Sequence, residues 1–262
     1  MRIELASRPG TAGRPNEDYL SIAVPASGLG GALVLLDGVT PPPGDDGCLH
    51  SVPWFTARLG GALGELSISR RELELREILA AAIARTAEAH SLTCDLSHPR
   101  TPQATVVLAR WDEERLEHLV LSDSALLLEA PDGEVSAVLD DRIARLPGAS
   151  LASAAVADAT VRNKEGGFFT AAADPAVAAR AVAGQLPRAR VRALAALSDG
   201  ASRWVETFRE GDWRACFALL RKEGGEALID RVRALETADA EQRLRLRRSK
   251  THDDAAVGFV EF

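Results

Sequence analysis

Acidic residues stand at the ends of apolar runs along the whole chain, and their types fit one kind of chemistry. Asn16-Glu17-Asp18 follows Arg14, and Asp37-Gly38 closes the run Ala32 to Leu36. Asp199-Gly200 closes Val191 to Leu197, and Asp253-Asp254 opens the final run, Ala255 to Phe262. A carboxylate at a strand end is held by the sheet at the point where the backbone leaves the core. Four such ends brought together form an oxygen-rich pocket whose charge hard divalent cations neutralise. Paired hard cations acidify a water and neutralise phosphoryl oxygens, which is what hydrolysis of a phosphate ester requires. A guanidinium that grips phosphate oxygens completes such a site, and Arg14 supplies one.

Those carboxylates need rigid elements behind them. Short runs rich in Val, Leu and Ala, bounded by Gly, Pro and Asp, read as strands near 2–6, 19–24, 32–37, 104–111, 115–122, 125–130, 135–139, 192–198 and 255–262. Trp111 to Arg115 and Pro131-Asp132-Gly133 read as hairpin turns. Helical spacing covers Arg70 to Ser91, and Asp174-Pro175 reads as an N-cap opening a helix to about Gln185. Further helices are expected from about Trp204 to Lys222 and from Glu226 to Leu244. Thr40 to Gly47 reads as a loop, and the irregular stretch 149–170 as a candidate flap. This order gives an α+β domain with helices covering antiparallel sheets.

Composition narrows the function classes. A chain of 262 residues buries a sizeable core, and 46% hydrophobic with 26% charged residues excludes wholesale disorder. The net charge of −7 argues against a general nucleic-acid binder. No apolar run is long enough to span a bilayer, and Met1-Arg2-Ile3-Glu4 opens no secretory signal, so neither a membrane nor export is expected. Cys48, Cys94 and Cys216 are odd in number, far apart and without a CxxC. Neither a disulfide framework nor a thiolate zinc site is expected from them, and reduced thiols in the cytoplasm are. His50, His90, His98 and His118 lack ligand spacing and read as surface or satisfied core residues, while His252 merely adjoins Asp253. The run Arg243 to Lys250 reads as a solvated element end, with a basic patch that steers anions as the functional alternative.

Six motifs in one order then carry a resemblance. They are Arg14-Pro15-Asn16-Glu17-Asp18, Val34 to Gly38, Ala104-Thr105-Val106-Val107, Leu121-Ser122-Asp123-Ser124, Leu197 to Gly200, and His252 to Val257. Together they resemble the metal-dependent (PPM, type 2C-like) serine/threonine protein phosphatases, in the form of a bacterial single-domain member. The resemblance implies a four-layer α-β-β-α sandwich of two antiparallel sheets flanked by helices, with two Mg²⁺ or Mn²⁺ ions at one end. It also implies roles. Asp37 bridges both ions, Asp199 and Asp253 complete one shell, and Glu17 with the Gly38 carbonyl serves the other. Asp18 stands behind them, Arg14 binds the substrate phosphate, and a hydroxide between the ions attacks phosphoserine or phosphothreonine. The implied partner is a phosphorylated protein, with a serine/threonine kinase as the opposing activity.

Two departures from the family pattern stand out. Val39-Thr40-Pro41-Pro42-Pro43 replaces the family's flexible Gly-Gly turn with a stiff one beside the metals. Asp123 matches a position that helps hold a third metal in bacterial relatives, but the partner carboxylate four residues after Asp199 is Arg203. Asp123 is therefore read as a remnant of a third-metal site, with Arg203 expected to pair with it. A weakly catalytic pseudophosphatase that binds phosphoproteins, or a small-molecule phosphatase, is the alternative reading.

Overall fold

A computed structural model describes residues 1–28, 30–242 and 250–262. Two five-stranded sheets form its centre, and every strand pair is antiparallel. In the first sheet the order is β1 (Arg2–Arg8), β10 (Ala255–Glu261), β9 (Ala193–Leu197), β6 (Ala125–Glu129) and β7 (Val135–Val138). In the second it is β2 (Tyr19–Ala23), β3 (Gly31–Leu36), β4 (Val106–Trp111), β5 (Arg115–Leu121) and β8 (Val182–Pro187). Helices α1 (Val52–Ser69) and α2 (Leu75–Glu88) cover the second sheet. The first is covered by α5 (Asp199–Glu206), α6 (Trp213–Glu223) and α7 (Gly225–Gln242).

The two-residue period of the strands builds these layers. Leu33 and Leu35 of β3 point between the sheets and join Val107, Val120, Leu126, Leu194 and Val260. Their neighbours Val34 and Leu36 point outward onto Phe55, Leu59, Ile78 and Ile83 of the helices. On the opposite outer face Leu127, Leu197 and Val257 meet Phe217, Leu228 and Val232. Each of these side chains is essentially removed from water, so truncating Leu33 or Leu35 to Ala costs about 2–5 kcal/mol. The α-β-β-α sandwich follows.

All nine expected strands are present, and five expectations are corrected. The chain from Asp174 does open with a side-chain cap, accepted from the Ala176 N–H at 2.9 Å, but it makes only a 3₁₀ turn, Pro175–Arg180. It then extends into β8, an exposed edge strand whose Gly184 lies against the His118 ring, where a Cβ would come within 2.9 Å. Helix α1 occupies a stretch not expected to be helical, although Ser51 caps it and Pro53 stands in its first turn. Its Gly60 lies flat against the Tyr19 ring, which explains why the helical pattern is interrupted by small residues. The single helix expected from Trp204 to Lys222 is two, broken where Arg209 adopts a φ of 56° and Asp212 caps α6.

The stretch 149–170 is not irregular throughout. It contains α4 (Ala154–Thr160), preceded by the short α3 (Arg142–Arg145), and folds on a small core of Ala157, Val161 and Phe168. Leu244 and the basic run 243–249 lie outside the described residues. Among the described residues no helix is long and apolar enough to cross a membrane. Finally, Cys48 and Cys94 do not stand apart: their sulfurs lie 2.9 Å from one another, with His50 and His90 beside them.

Candidate active site

Asp37 leaves the end of β3 with its backbone clamped on both sides. The Thr105 N–H donates to the Asp37 carbonyl at 2.9 Å, the Asp37 N–H donates to Thr105 Oγ1 at 3.2 Å, and Ser124 Oγ lies 2.6 Å from Thr105 Oγ1. Asp199 opens α5, and its N–H donates to Asp37 Oδ2 at 3.2 Å. The segment carrying Glu17 is drawn in by Asp254, whose carboxylate accepts the N–H groups of Gly10 and Glu17, each at 2.7 Å. Two glycines permit these approaches. A Cβ on Gly38 would lie 2.5 Å from the Glu17 carbonyl oxygen, and one on Gly200 would lie 1.9 Å from that of Asp254. The Asp-Gly pairs that mark the strand ends are thus requirements of close backbone packing as well as of chemistry.

The result is a carboxylate-rich cleft. A hollow of about 410 Å³ is lined by Asp37, Gly38, Thr105, Asp123, Asp199 and Asp253. Beside it a second, about 270 Å³, is lined by Arg14, Glu17, Thr40, Lys250 and Asp253. Burial pushes the Asp37 carboxyl well above the usual range, and the charges of Asp199, Asp18, Asp253 and Asp123 push it further. Asp18 is raised in the same way, by burial first, against an opposing hydrogen bond from Ser198, and then by Asp199, Asp254 and Asp253. Asp199 rises to about 7 through burial and the charges of Asp253 and Asp123. Burial also raises Glu17, against the opposing hydrogen bond from the Thr40 hydroxyl to its Oε2. Oδ1 of Asp199 is buried without a hydrogen-bond partner among the described residues, and the buried oxygens of Asp18 have at most the Ser198 hydroxyl. Buried carboxylates left unpaired at this density are costly unless cations join them. The oxygens therefore fit a pair of hard divalent ions.

Sequence comparison agrees with this chemistry. The profile of the protein phosphatase 2C family matches residues 10–245. The chain belongs to the protein phosphatase 2C family. No curated protein sequence matches it. Among solved structures, a bacterial serine phosphatase is similar, with 16% identity, a TM-score of 0.62, and coverage of 100% of this chain and 97% of the other. The serine/threonine phosphatase PstP/Ppp of Mycobacterium tuberculosis has 16% identity and a TM-score of 0.60, over 100% of this chain and 98% of that one. The catalytic domain of PstP, in complex with two manganese ions, has 17% identity and a TM-score of 0.58, over 99% and 97% of the two chains.

Within this 2C-family site the position of Arg203 corrects an expectation. Its guanidinium does not pair with Asp123. It reaches Asp253 Oδ2 at 2.9 Å and Glu236 of α7, both buried. The cause is the packing of α5 on α7, which sets the fully buried Glu236 carboxylate on that side of the guanidinium. Lys250 Nζ holds the other oxygen of Asp253 at 2.5 Å, so two cationic side chains attend this one carboxylate. Asp123 instead accepts the Ser122 hydroxyl at 3.2 Å and raises Glu206, a carboxyl already pushed up by burial. Ser122 stands at φ 71°, in the left-handed region that favours glycine. Arg14 is exposed at the mouth, with no side-chain hydrogen bond or ion pair among the described residues. His252 lines the Arg14 hollow too, with its Nδ1 2.7 Å from Glu236.

Two contributors are not apparent from sequence as site residues, Thr40 and Lys250, while Thr105 and Asp254 stand in recognised motifs without an assigned role. Lys250 had one signal, a cation three residues before Asp253. Thr40 had none, because nothing in a Thr-Pro-Pro-Pro loop indicates which way its hydroxyl points.

Proposed function

We propose that this 2C-family phosphatase removes phosphate from phosphoserine and phosphothreonine in cytoplasmic proteins, opposing a serine/threonine kinase, with Mg²⁺ or Mn²⁺ as cofactor. One observation supports this above the others: seven carboxylates share the cleft region, and the buried oxygens of Asp18 and Asp199 have too few protein donors. The donors are all hard oxygens, the set that Mg²⁺ and Mn²⁺ accept. PstP, of the same fold, holds two manganese ions. Asp37, with carboxylates on every side, would be shared between two ions. Asp199 and Asp253 would complete one site, Glu17 and the Gly38 carbonyl the other, with Asp18 behind them. When bound, the cations neutralise phosphoryl oxygens and acidify the attacking water.

The chain's own residues do the positioning. Arg14, unpaired at the mouth, grips the phosphate of the incoming residue through its fork of N–H donors. Thr105 and Ser124 fix Asp37, Thr40 fixes the Glu17 carboxylate, and Asp254 fixes the Glu17 backbone. Pro41 and Pro42 form a stiff wall, and the segment 149–170 supplies the opposite one through Leu151, Ser153, Ala157 and Phe168, as a flap that selects the substrate. Asp123 remains as the remnant of a third metal position, with Arg203 committed to Asp253. The test is hydrolysis of an aryl phosphate and a phosphothreonine peptide with and without Mg²⁺ or Mn²⁺. Metal-dependent turnover of both, lost in Asp37→Asn and Asp199→Asn, is the expected result. Turnover of the aryl ester alone would instead favour a small-molecule substrate.

A further inference from the structure

At the far end of the loop that leaves Asp37, two cysteines and two histidines meet. Cys48 and His50 precede α1, while His90 and Cys94 follow α2. The N–H groups of Thr93 and Cys94 donate to the His90 carbonyl at 3.1 and 3.0 Å, a tight turn that puts His90 and Cys94 on one side. One sulfur or ring nitrogen from each of the four residues lies within 4.8 Å of the others. We propose that Cys48 Sγ, His50 Nδ1, His90 Nδ1 and Cys94 Sγ bind one zinc ion, as a structural site that fastens the 39–51 loop to the end of α2.

The donor spacing fits. Tetrahedral zinc, with bonds of about 2.3 Å to sulfur and about 2.0 Å to nitrogen, needs donor–donor edges of roughly 3.3–3.8 Å. Cys48 Sγ lies 3.4 Å from His90 Nδ1 and 3.8 Å from His50 Nδ1, and His50 Nδ1 lies 3.4 Å from Cys94 Sγ. The sulfur–sulfur edge, 2.9 Å, is the one that must open, by under about 1 Å. Both sulfurs already accept backbone N–H groups, Cys94 from Leu49 at 3.3 Å and Cys48 from His50 at 3.4 Å, the surroundings a metal thiolate needs. His90 is buried and turns its Nδ1 toward the Cys48 sulfur, so Nδ1 is the nitrogen the cluster uses. Trp54 walls the site, its ring 3.9 Å from that of His50 and 5.3 Å from that of His90. Two thiolates and two imidazoles, with no fifth donor among the described residues, select zinc over Mg²⁺ or Mn²⁺ and leave no open position for catalysis.

The consequence reaches the cleft through the loop itself. Thr40, which holds Glu17, and Asp46, which lines the Arg14 side of the cleft, lie on the stretch that ends in Cys48 and His50, and Ser51 of the same wall follows it directly. A zinc knot at one end makes a wall out of what its length would otherwise leave a mobile loop.

The test is metal analysis of the full chain, purified with thiol reductant and without chelator, in the Asp37→Asn background so that the carboxylate cleft is impaired. About one zinc per chain is expected, falling below about a tenth in Cys48→Ser and in Cys94→Ser. Because those variants risk misfolding, the unaltered chain is also refolded with Co²⁺. Intense visible d–d bands with a near-ultraviolet sulfur-to-cobalt band, both removed by one equivalent of zinc, are the expected signature. Substoichiometric zinc together with a weak octahedral cobalt spectrum overturns the proposal, as does a Cys48–Cys94 disulfide in the reduced preparation. Loss of phosphatase activity in any variant does not enter the decision, so this proposal and the phosphatase reading fail separately.

Discussion

One loop joins two clusters built from opposite chemistries. At its start, Asp37 and Gly38 stand in a cleft of hard oxygen donors, crowded enough that burial and like charge raise Asp37, Asp18 and Asp199 together. At its end, Cys48 and His50 complete a set of soft sulfur and nitrogen donors with no carboxylate among them. The oxygen cluster is open, has buried orphan oxygens, and contributes instability to the cation-free fold. The sulfur cluster lies against Trp54, with His90 buried and its other three members partly exposed, and would contribute stability with its ion bound. A site that works on substrate and a site that holds the fold would thus differ in donor type and in the sign of their contribution to folding.

Five measurements sharpen or break that contrast. The largest effect is expected at Asp37. Asp37→Asn should lower turnover by about 10³-fold or more, several kcal/mol of transition-state stabilisation, while thermal unfolding without added Mg²⁺ or Mn²⁺ moves upward because a buried charge is gone. At the other cluster the order reverses: Cys94→Ser should lower the melting temperature by about 10 °C, from the loss of about 4 kcal/mol of metal linkage, read by calorimetry. If Cys94→Ser melts with the unaltered chain, the sulfur cluster holds nothing.

Arg203→Met should cost about 1–3 kcal/mol in urea unfolding, since it removes the cation that Glu236 and Asp253 share while Arg233 and Lys250 remain on them. Added Mn²⁺ should restore part of that loss through Asp253. Recovery of none would place Asp253 outside the cation site. The pH dependence follows from Asp199, whose carboxyl sits at about 7 against an ordinary 3.8. Between those values the folded chain binds a proton that the unfolded chain releases, so this group lowers stability as pH rises from about 4 to about 7. Without added Mg²⁺ or Mn²⁺, the melting temperature should fall more from pH 5 to pH 8 in the unaltered chain than in Asp199→Asn. Saturating Mg²⁺ should abolish the difference between them. The smallest effect is expected from Ser122→Gly, which relieves the left-handed backbone and should add about 1 kcal/mol of stability.

Sheets and cleft were legible in sequence for a common reason. A strand such as Gly31–Leu36 announces itself by a continuous apolar run, and its end by Asp37-Gly38, where close backbone contact demands glycine. Interrupted or half-exposed elements were not legible. Helix α1 hides its period behind Gly60, Gly61 and Gly64, and β8 is an exposed edge strand with few apolar residues to mark it. The cysteine–histidine cluster was invisible for a different reason. Counting cysteines alone finds no CxxC, and counting histidines alone finds no spacing, but Cys48-x-His50 and His90-x-x-x-Cys94 are two mixed pairs that only α1 and α2 bring together. The direction of Arg203 was equally beyond reach, because it depends on where α7 places Glu236.

The most direct test of the two-chemistry account is anomalous diffraction from crystals grown with Mn²⁺ and Zn²⁺ together, recorded at both absorption edges. Manganese peaks among Glu17, Asp37, Asp199 and Asp253, with one zinc peak among Cys48, His50, His90 and Cys94, are predicted. A carboxylate cleft without manganese, or manganese seated on the sulfurs, would contradict it.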